Sequence, residues 1–396
     1  MTTTIPTTPA KRFSVIDGLR GVAILWVTLF HFARPVHDNN AIWNPINIGP
    51  IDLVPFLRSG SQGVSLFFAL SGFCLFYPMI KNGFKFDFKN FWMRRVIRIY
   101  PAYIVNFAVF FVIYYLSGKT DAGFQLLTHL TFTSSFFRST FGAVNSVLWS
   151  LNVEDWFYIT LPILGYCFYR WPKYSLIGSV TVASISTAYV FCVHGFDPFL
   201  IRMLPCRLLD FVAGMYAASI YARGIQLGNK AVAACWIVGL SGIFIAPYAN
   251  LLFYPVNGDI QHSLVSAVSA MSWFALITAA IYSPKSIGSR ILSAQPLVGL
   301  GIVSFSLYLY QPLRLIVPKA LGIEYHSALW WIVAILANGI ACIISYYVTE
   351  KPFLLLRDKL RAKTISQESP KTHHAPKHHR LSRTPRSVTI ERPQEV

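Results

Sequence analysis

Apolar runs of about twenty residues recur along this chain, separated by short stretches rich in Lys, Arg, Asp, Gly and Pro. Coiled as a helix, a run of that length crosses about 30 Å of hydrocarbon. The pattern predicts about ten such helices, over 13–33, 63–80, 99–117, 147–169, 174–194, 205–222, 231–250, 263–283, 297–317 and 328–349. The runs 63–80 and 205–222 are short, so merging or splitting neighbours gives a range of eight to eleven. The expected fold class is an all-α polytopic membrane protein.

Cations fall in alternate connections. Lys11 and Arg12 precede the first run, and Lys81, Lys85, Lys89, Arg94, Arg95 and Arg98 fill the stretch before the third. Arg170 with Lys173, Arg223 with Lys230, and Lys285 with Arg290 mark later connections, and Lys351 follows the last run. The intervening stretches hold few cations and include Asp38, Asp52, Asp121, Asp197, Asp259 and Glu324. This alternation predicts an even number of spans with both termini cytoplasmic. Composition agrees with the pattern: 54% hydrophobic and 13% charged residues, against about a quarter charged in soluble domains. The mean hydropathy is +0.50. The net charge of +18 is thereby a mark of orientation and of attraction to anionic membrane lipids, and no nucleic-acid partner is expected.

Three parts are expected: a short cytoplasmic N-terminus (1–12), a membrane domain (13–353) and a basic, disordered cytoplasmic tail (354–396). The opening MTTTIPTTPAKR has no small-residue cleavage site, so the first run reads as an uncleaved span. The tail loses its apolar residues and can lie on the inner leaflet. Its His373, His374, His378 and His379 read as a solvated tract. The six cysteines are scattered through apolar stretches without metal spacing, and no metal is expected. The stretch 118–146 is longer than a turn, and LLTHLTF within it suits a membrane interface.

Three polar constellations interrupt the apolar pattern. Arg20 and His31 lie eleven residues apart in the first span, about 16 Å along a helix and nearly on one face. Each alone has an ordinary explanation, a snorkelling guanidinium and an interfacial imidazole; together they suit the two ends of one long substrate. Arg95 and Arg98, three residues apart, are neighbours on a helix face, and forked guanidiniums suit phosphate. Pro101 is placed in the first turn of the span that follows. Glu154, among Trp149, Trp156, Phe157 and Tyr158, is a carboxylate in need of a partner. Its expected depth is near His31, where it can orient an imidazole; Arg207 is the alternative partner and Asp155 the rival carboxylate.

Five stretches, DGLRG…H (17–31), FFALSGF (67–73), RRVIRIYPAYI (94–104), LWSLNVEDWFY (148–158) and SFSLYLYQPL (304–313), together resemble the acyltransferase 3 family of integral-membrane acyltransferases. RLLDFVAGM (207–215) and YYVTEKPF (346–353) fit it more weakly. The resemblance implies transfer of an acyl group, most often acetyl, from cytoplasmic acyl-CoA to a hydroxyl of a lipid-linked or surface glycan, in the bacterial inner membrane. It maps His31 and Glu154 onto catalytic positions and Arg20, Arg95 and Arg98 onto binding of acyl-CoA, the donor substrate. Asp155 stands where a second glutamate is common, and Gln311 where many members carry histidine. The soluble hydrolase-like domain of some members is also missing from the resemblance. A transporter or flippase for a glycan or small anion is the competing expectation, since intramembrane charges suit that as well. A non-catalytic scaffold accounts least well for three buried ionisable groups.

Overall fold

The computed structural model describes residues 13–33, 47–48, 51–53, 56–57, 59–194, 197–252, 258–325, 327–357 and 359. The N-terminal segment 1–12 and nearly all of the tail, with its histidines, lie outside the described residues. The expected positions of both termini rest on the charge pattern alone.

The chain folds as α-helices. Helix α1 (Ser14–Ala33) leads into a two-residue antiparallel ladder, Asn47–Ile48 against Ile51–Asp52. A 3-10 turn (Ser59–Ser61) opens α2 (Gln62–Lys81), followed by α3 (Phe88–Leu116), α4 (Ala122–Leu130) and α5 (Trp149–Arg170). Then come α6 (Pro172–His194), α7 (Leu204–Ala222), α8 (Asn229–Leu252) and α9 (Gly258–Tyr282). The short α10 (Ile287–Leu292) precedes α11 (Gln295–Leu309), α12 (Leu313–Ala320) and α13 (Ala328–Ser345), which ends in a π-helical turn, Tyr346–Glu350.

Each of the ten apolar runs coincides with a helix, and the ninth with a bent pair. Six helical segments among the described residues are long and apolar enough to cross a membrane, and a seventh if α11 and α12, bent by 58°, count as one span. Helix α5 is 22 residues long but holds Asn152, Glu154 and Asp155 in its first turns, and it is not among the six. The described apolar parts of α8 and α9, Asn229–Ile245 and Ser266–Tyr282, are shorter. Outward-facing Ile177, Ile185 and Val193 of α6 are exposed, as a lipid-facing wall requires.

Local chemistry sets the helix ends. Asp87 caps α3 by accepting from the Asn90 amide at 3.0 Å, and these hydrogen bonds hold its carboxyl below the usual carboxylate range. Ser327 caps α13, accepting from the Trp330 amide at 3.1 Å. One boundary differs from expectation. Helix α3 starts at Phe88, so Pro101 lies well inside it rather than in a first turn, and Arg95 and Arg98 share one continuous helix with the span. A proline removes a single backbone donor, which long flanking turns can tolerate.

Two close approaches fix the bundle. A Cβ on Gly214 of α7 would lie 1.7 Å from the Ala69 carbonyl oxygen of α2. A Cβ on Gly301 of α11 would lie 1.8 Å from the Asp17 carbonyl oxygen of α1. Small residues let helix backbones approach where lipid supplies no hydrophobic drive between helices. Gly214→Ala is expected to cost about 1–3 kcal/mol, the range of an overpacked core. A lower thermal midpoint of the detergent-purified protein checks it; an unchanged midpoint refutes it. Between these contacts, Phe211 stacks on Phe157 of α5 at 4.0 Å and on Phe68 of α2 at 4.6 Å. That three-ring stack ties together the helices that carry Glu154 and Ser71.

The 118–146 stretch contains α4, whose His129 is fully buried and stacked on Phe107 at 4.9 Å. Its Nδ1 lies 2.8 Å from the Gln125 carbonyl oxygen. Phe124, Leu127 and Leu130 remain exposed, so α4 presents one face to α3 and an apolar face outward.

Candidate active site

Helices α1, α2, α3, α5 and α11 enclose a cleft with about 800 Å³ of atom-free space, its open mouth included. Arg20, Arg95, Arg98 and Glu154 all line it. Three guanidiniums thus share a wall with one carboxylate, an arrangement poised for an anion. Arg20 projects from the first third of α1, where Gly301 lets α11 press against the Asp17 carbonyl. Arg95 lies 5.7 Å from the Tyr158 ring centroid and 5.8 Å from that of Phe91. The Nε atoms of Arg20 and Arg95 are buried with no hydrogen-bond partner among the described residues. Buried donors of this kind are the exception in folded proteins, and they remain available to a ligand.

Glu154 accepts a hydrogen bond from Ser71 Oγ at 2.5 Å. It is within electrostatic reach of Arg20, Arg95 and Tyr158. The sequence puts its expected depth near His31, with the imidazole or an arginine as its partner. Its neighbours include Ser71, Tyr158 and the guanidiniums, and the Phe157–Phe211–Phe68 stack packs α5 and α2 against α7 beside it. Between the rival carboxylates, Glu154 lines the cleft, while Asp155 is not among its lining residues and stands within electrostatic reach of Tyr100 and Tyr103 of α3. Arg207 pairs with Asp210 at 3.7 Å rather than with Glu154.

His31 is not among the lining residues. It sits in the last turn of α1, half-buried, with its ring centroid 5.1 Å from that of Phe30. The cleft reaches Val64, and Gly63 beside it packs on Ala23 and Val27 of α1. His31 therefore lies one to two turns beyond that end, about 6–12 Å along the helix. The break between α11 and α12 closes over this region: Gln311 Nε2 donates to Thr28 Oγ1 at 2.7 Å, and Arg314 Nε donates to the His31 carbonyl at 2.8 Å.

Several groups at the cleft are not among the candidate site residues read from the sequence. Ser71, Cys74, Ser150, Tyr158 and Tyr308 all face the cleft, and the Ser150 and Tyr308 hydroxyls lie 2.8 Å apart. Glu350, 95% buried in the π turn, accepts from Ser306 Oγ at 2.8 Å and stands within electrostatic reach of Arg98 and Arg20. Except for Cys74, these residues fall inside the stretches that carry the family resemblance. That was the available signal, although no spacing rule singles them out.

A family model described as an acyltransferase domain, that of acyltransferase 3, matches residues 13–350. The chain belongs to the acyltransferase 3 family. Proteins with a similar sequence include the O-acetyltransferase OatA of Staphylococcus aureus (strain NCTC 8325 / PS 47), 24% identical over 362 residues, covering 85% of this chain and 56% of that protein. The peptidoglycan O-acetyltransferase OatA of Listeria monocytogenes serovar 1/2a is 26% identical over 377 residues, covering 86% of this chain and 56% of that protein. The chain thus spans about half the length of these relatives. No solved structure matches it. An acyltransferase 3 domain embedded in a membrane by apolar helices is the identity that the fold and family together support.

Proposed function

We propose that this protein moves an acyl group, an acetyl, from cytoplasmic acyl-coenzyme A to a hydroxyl of an extracytoplasmic glycan or glycolipid. Its location is the inner membrane of a bacterium. The observation that carries this reading is the cleft that gathers Arg20, Arg95, Arg98 and Glu154 inside the helix bundle. Both relatives are named O-acetyltransferases, and one is named for peptidoglycan, which supports acetyl as the group and a glycan as the acceptor.

Arg95 and Arg98 hold the coenzyme phosphates through forked, charge-assisted hydrogen bonds. Arg20 adds a third guanidinium, and Glu154, held by Ser71, offsets their mutual repulsion. The pantetheine arm extends through the bundle toward His31, so the charged head never crosses the bilayer. At the outer end, His31 takes the hydroxyl proton while the oxygen attacks the thioester carbonyl carbon. The C–S bond breaks, and the leaving thiolate recovers a proton from the imidazolium. In the alternative route the imidazole attacks the thioester carbon and the C–S bond breaks to release the thiolate; the hydroxyl oxygen then attacks the acyl-imidazole, the C–N bond breaks to free the imidazole, and the hydroxyl proton ends on the thiolate or the imidazole.

The test uses the full chain in lipid vesicles with labelled acetyl-coenzyme A inside and oligosaccharides outside. The expected result is label in an alkali-labile ester on the glycan, with one free coenzyme A per ester. Movement of unmodified glycan across the membrane without ester formation identifies a transporter and overturns the proposal.

A further inference from the structure

Two hydroxyls meet in the wall of the cleft, one turn away from Glu154. Ser150 precedes Glu154 on α5 by about 6 Å of helix, and Tyr308 stands near the end of α11. Both line the cleft, and their oxygens lie 2.8 Å apart. Their depth follows from the packing of α11 along α1. Gly301 abuts the Asp17 carbonyl and Gln311 donates to Thr28. Tyr308, which falls between Gly301 and Gln311 in the chain, therefore stands at a depth between Arg20 and His31. The lining residues beside the pair, Phe67, Leu151 and Phe305, are apolar. Tyr308 meets Phe67 edge-on, with ring centroids 6.4 Å apart.

The hydrogen-bonding capacity of this pair is one-sided. Each hydroxyl carries one proton and two acceptor lone pairs. The Val147 carbonyl oxygen lies 3.2 Å from both hydroxyl oxygens. That carbonyl takes one proton and the neighbouring hydroxyl takes the other, whichever way round the two are arranged. Both donors are then spent, while most of the lone pairs stay open. Ser150 is 6% exposed and Tyr308 7%, so the cleft is where a partner can reach them. What the pair offers there is acceptance of an N–H or O–H.

The pantetheine arm of the donor matches that offer. It is a chain of apolar carbons interrupted by two secondary amides, each with one N–H. An amide drawn from water into an apolar cleft loses its bonded water, which is costly unless another acceptor takes its place. Ser150 and Tyr308 supply that acceptor at the depth the arm crosses on its way from the guanidiniums to the imidazole.

We propose that Ser150 and Tyr308 form a subsite that accepts an amide N–H of the pantetheine arm and holds the arm on the line from Arg20 to His31. The inference rests on the coenzyme A reading and assigns part of the cleft to the arm. Both are positioning residues, and no bond is made or broken at them.

The experiment is equilibrium binding to the full chain in lipid nanodiscs. The probes are coenzyme A, two analogues in which one or the other amide is replaced by an ester lacking the N–H, and adenosine bisphosphate, which keeps phosphates without the arm. One ester analogue is expected to bind about three- to tenfold more weakly than coenzyme A, the worth of one neutral hydrogen bond. Ser150→Ala and Tyr308→Phe each remove one oxygen and leave the other to bond the Val147 carbonyl, so either variant keeps that carbonyl satisfied. Each should shrink the difference between amide and ester, and the double variant should abolish it, with adenosine bisphosphate affinity unchanged throughout. Equal binding of coenzyme A and both esters overturns the subsite, as does an amide preference undiminished in both single variants. Variants that weaken coenzyme A and adenosine bisphosphate alike, with the amide preference intact, reveal a structural brace and overturn it too. The donor reading fails differently: wild-type protein that binds neither coenzyme A nor adenosine bisphosphate overturns both.

Discussion

Replacing Arg95 and Arg98 together by alanine is expected to raise the KM for acetyl-coenzyme A about a hundredfold or more. The magnitude follows from two charge-assisted contacts of about 1.5–3 kcal/mol each, which need not add. The mechanism is local. Both residues line the same cleft as Arg20, so the remaining guanidinium cannot by itself replace their forks. Arg95→Lys separates charge from geometry: a lysine keeps the charge but loses the planar fork, and an intermediate KM is expected. Arg95 also packs beside Tyr158 and Phe91, so part of its loss is structural. A folded, monodisperse double variant with unchanged donor affinity would reject the assignment.

His31→Ala should abolish transfer while leaving donor affinity near its original value. Loss of a positioned general base costs about 10²–10⁴-fold in rate, and loss of a nucleophile costs at least as much. The separation from donor binding follows from placement, since His31 lies beyond the described lining of the cleft. The substitution is tolerable structurally. Arg314 donates to the backbone carbonyl of residue 31, a contact that alanine retains. Single-turnover measurements with labelled acetyl-coenzyme A read both quantities. A variant that inserts normally and transfers at full rate would remove His31 from the chemistry, and trapped label on the wild-type imidazole would select the nucleophilic route.

The helices were legible because twenty apolar residues in a row have few other fates. Their rotations were not. Hydropathy reports that α5 is a helix, but its orientation comes from the Phe157–Phe211–Phe68 stack, and that stack turns Glu154 toward Ser71 and the arginines. The run 297–317 reads as a single span, yet Gln311 and Pro312 interrupt it, and the break sets Gln311 against Thr28. Arg20, Arg95 and Arg98 were recognisable because ionised groups in apolar sequence are costly and therefore conspicuous. Cys74 and Ser71 were not, since small polar residues pass unnoticed in an apolar helix. Glu350 was visible only as part of a motif; its burial behind Arg98 depends on how the π turn meets α3.

The contact of Gly301 with the Asp17 carbonyl has a mechanical consequence. Backbones this close interlock, so α1 and α11 behave as one stiff beam that resists both sliding and twisting. Arg20 rides on that beam, and α12, set at 58° to α11, is fastened back to the same beam where Arg314 donates to the His31 carbonyl.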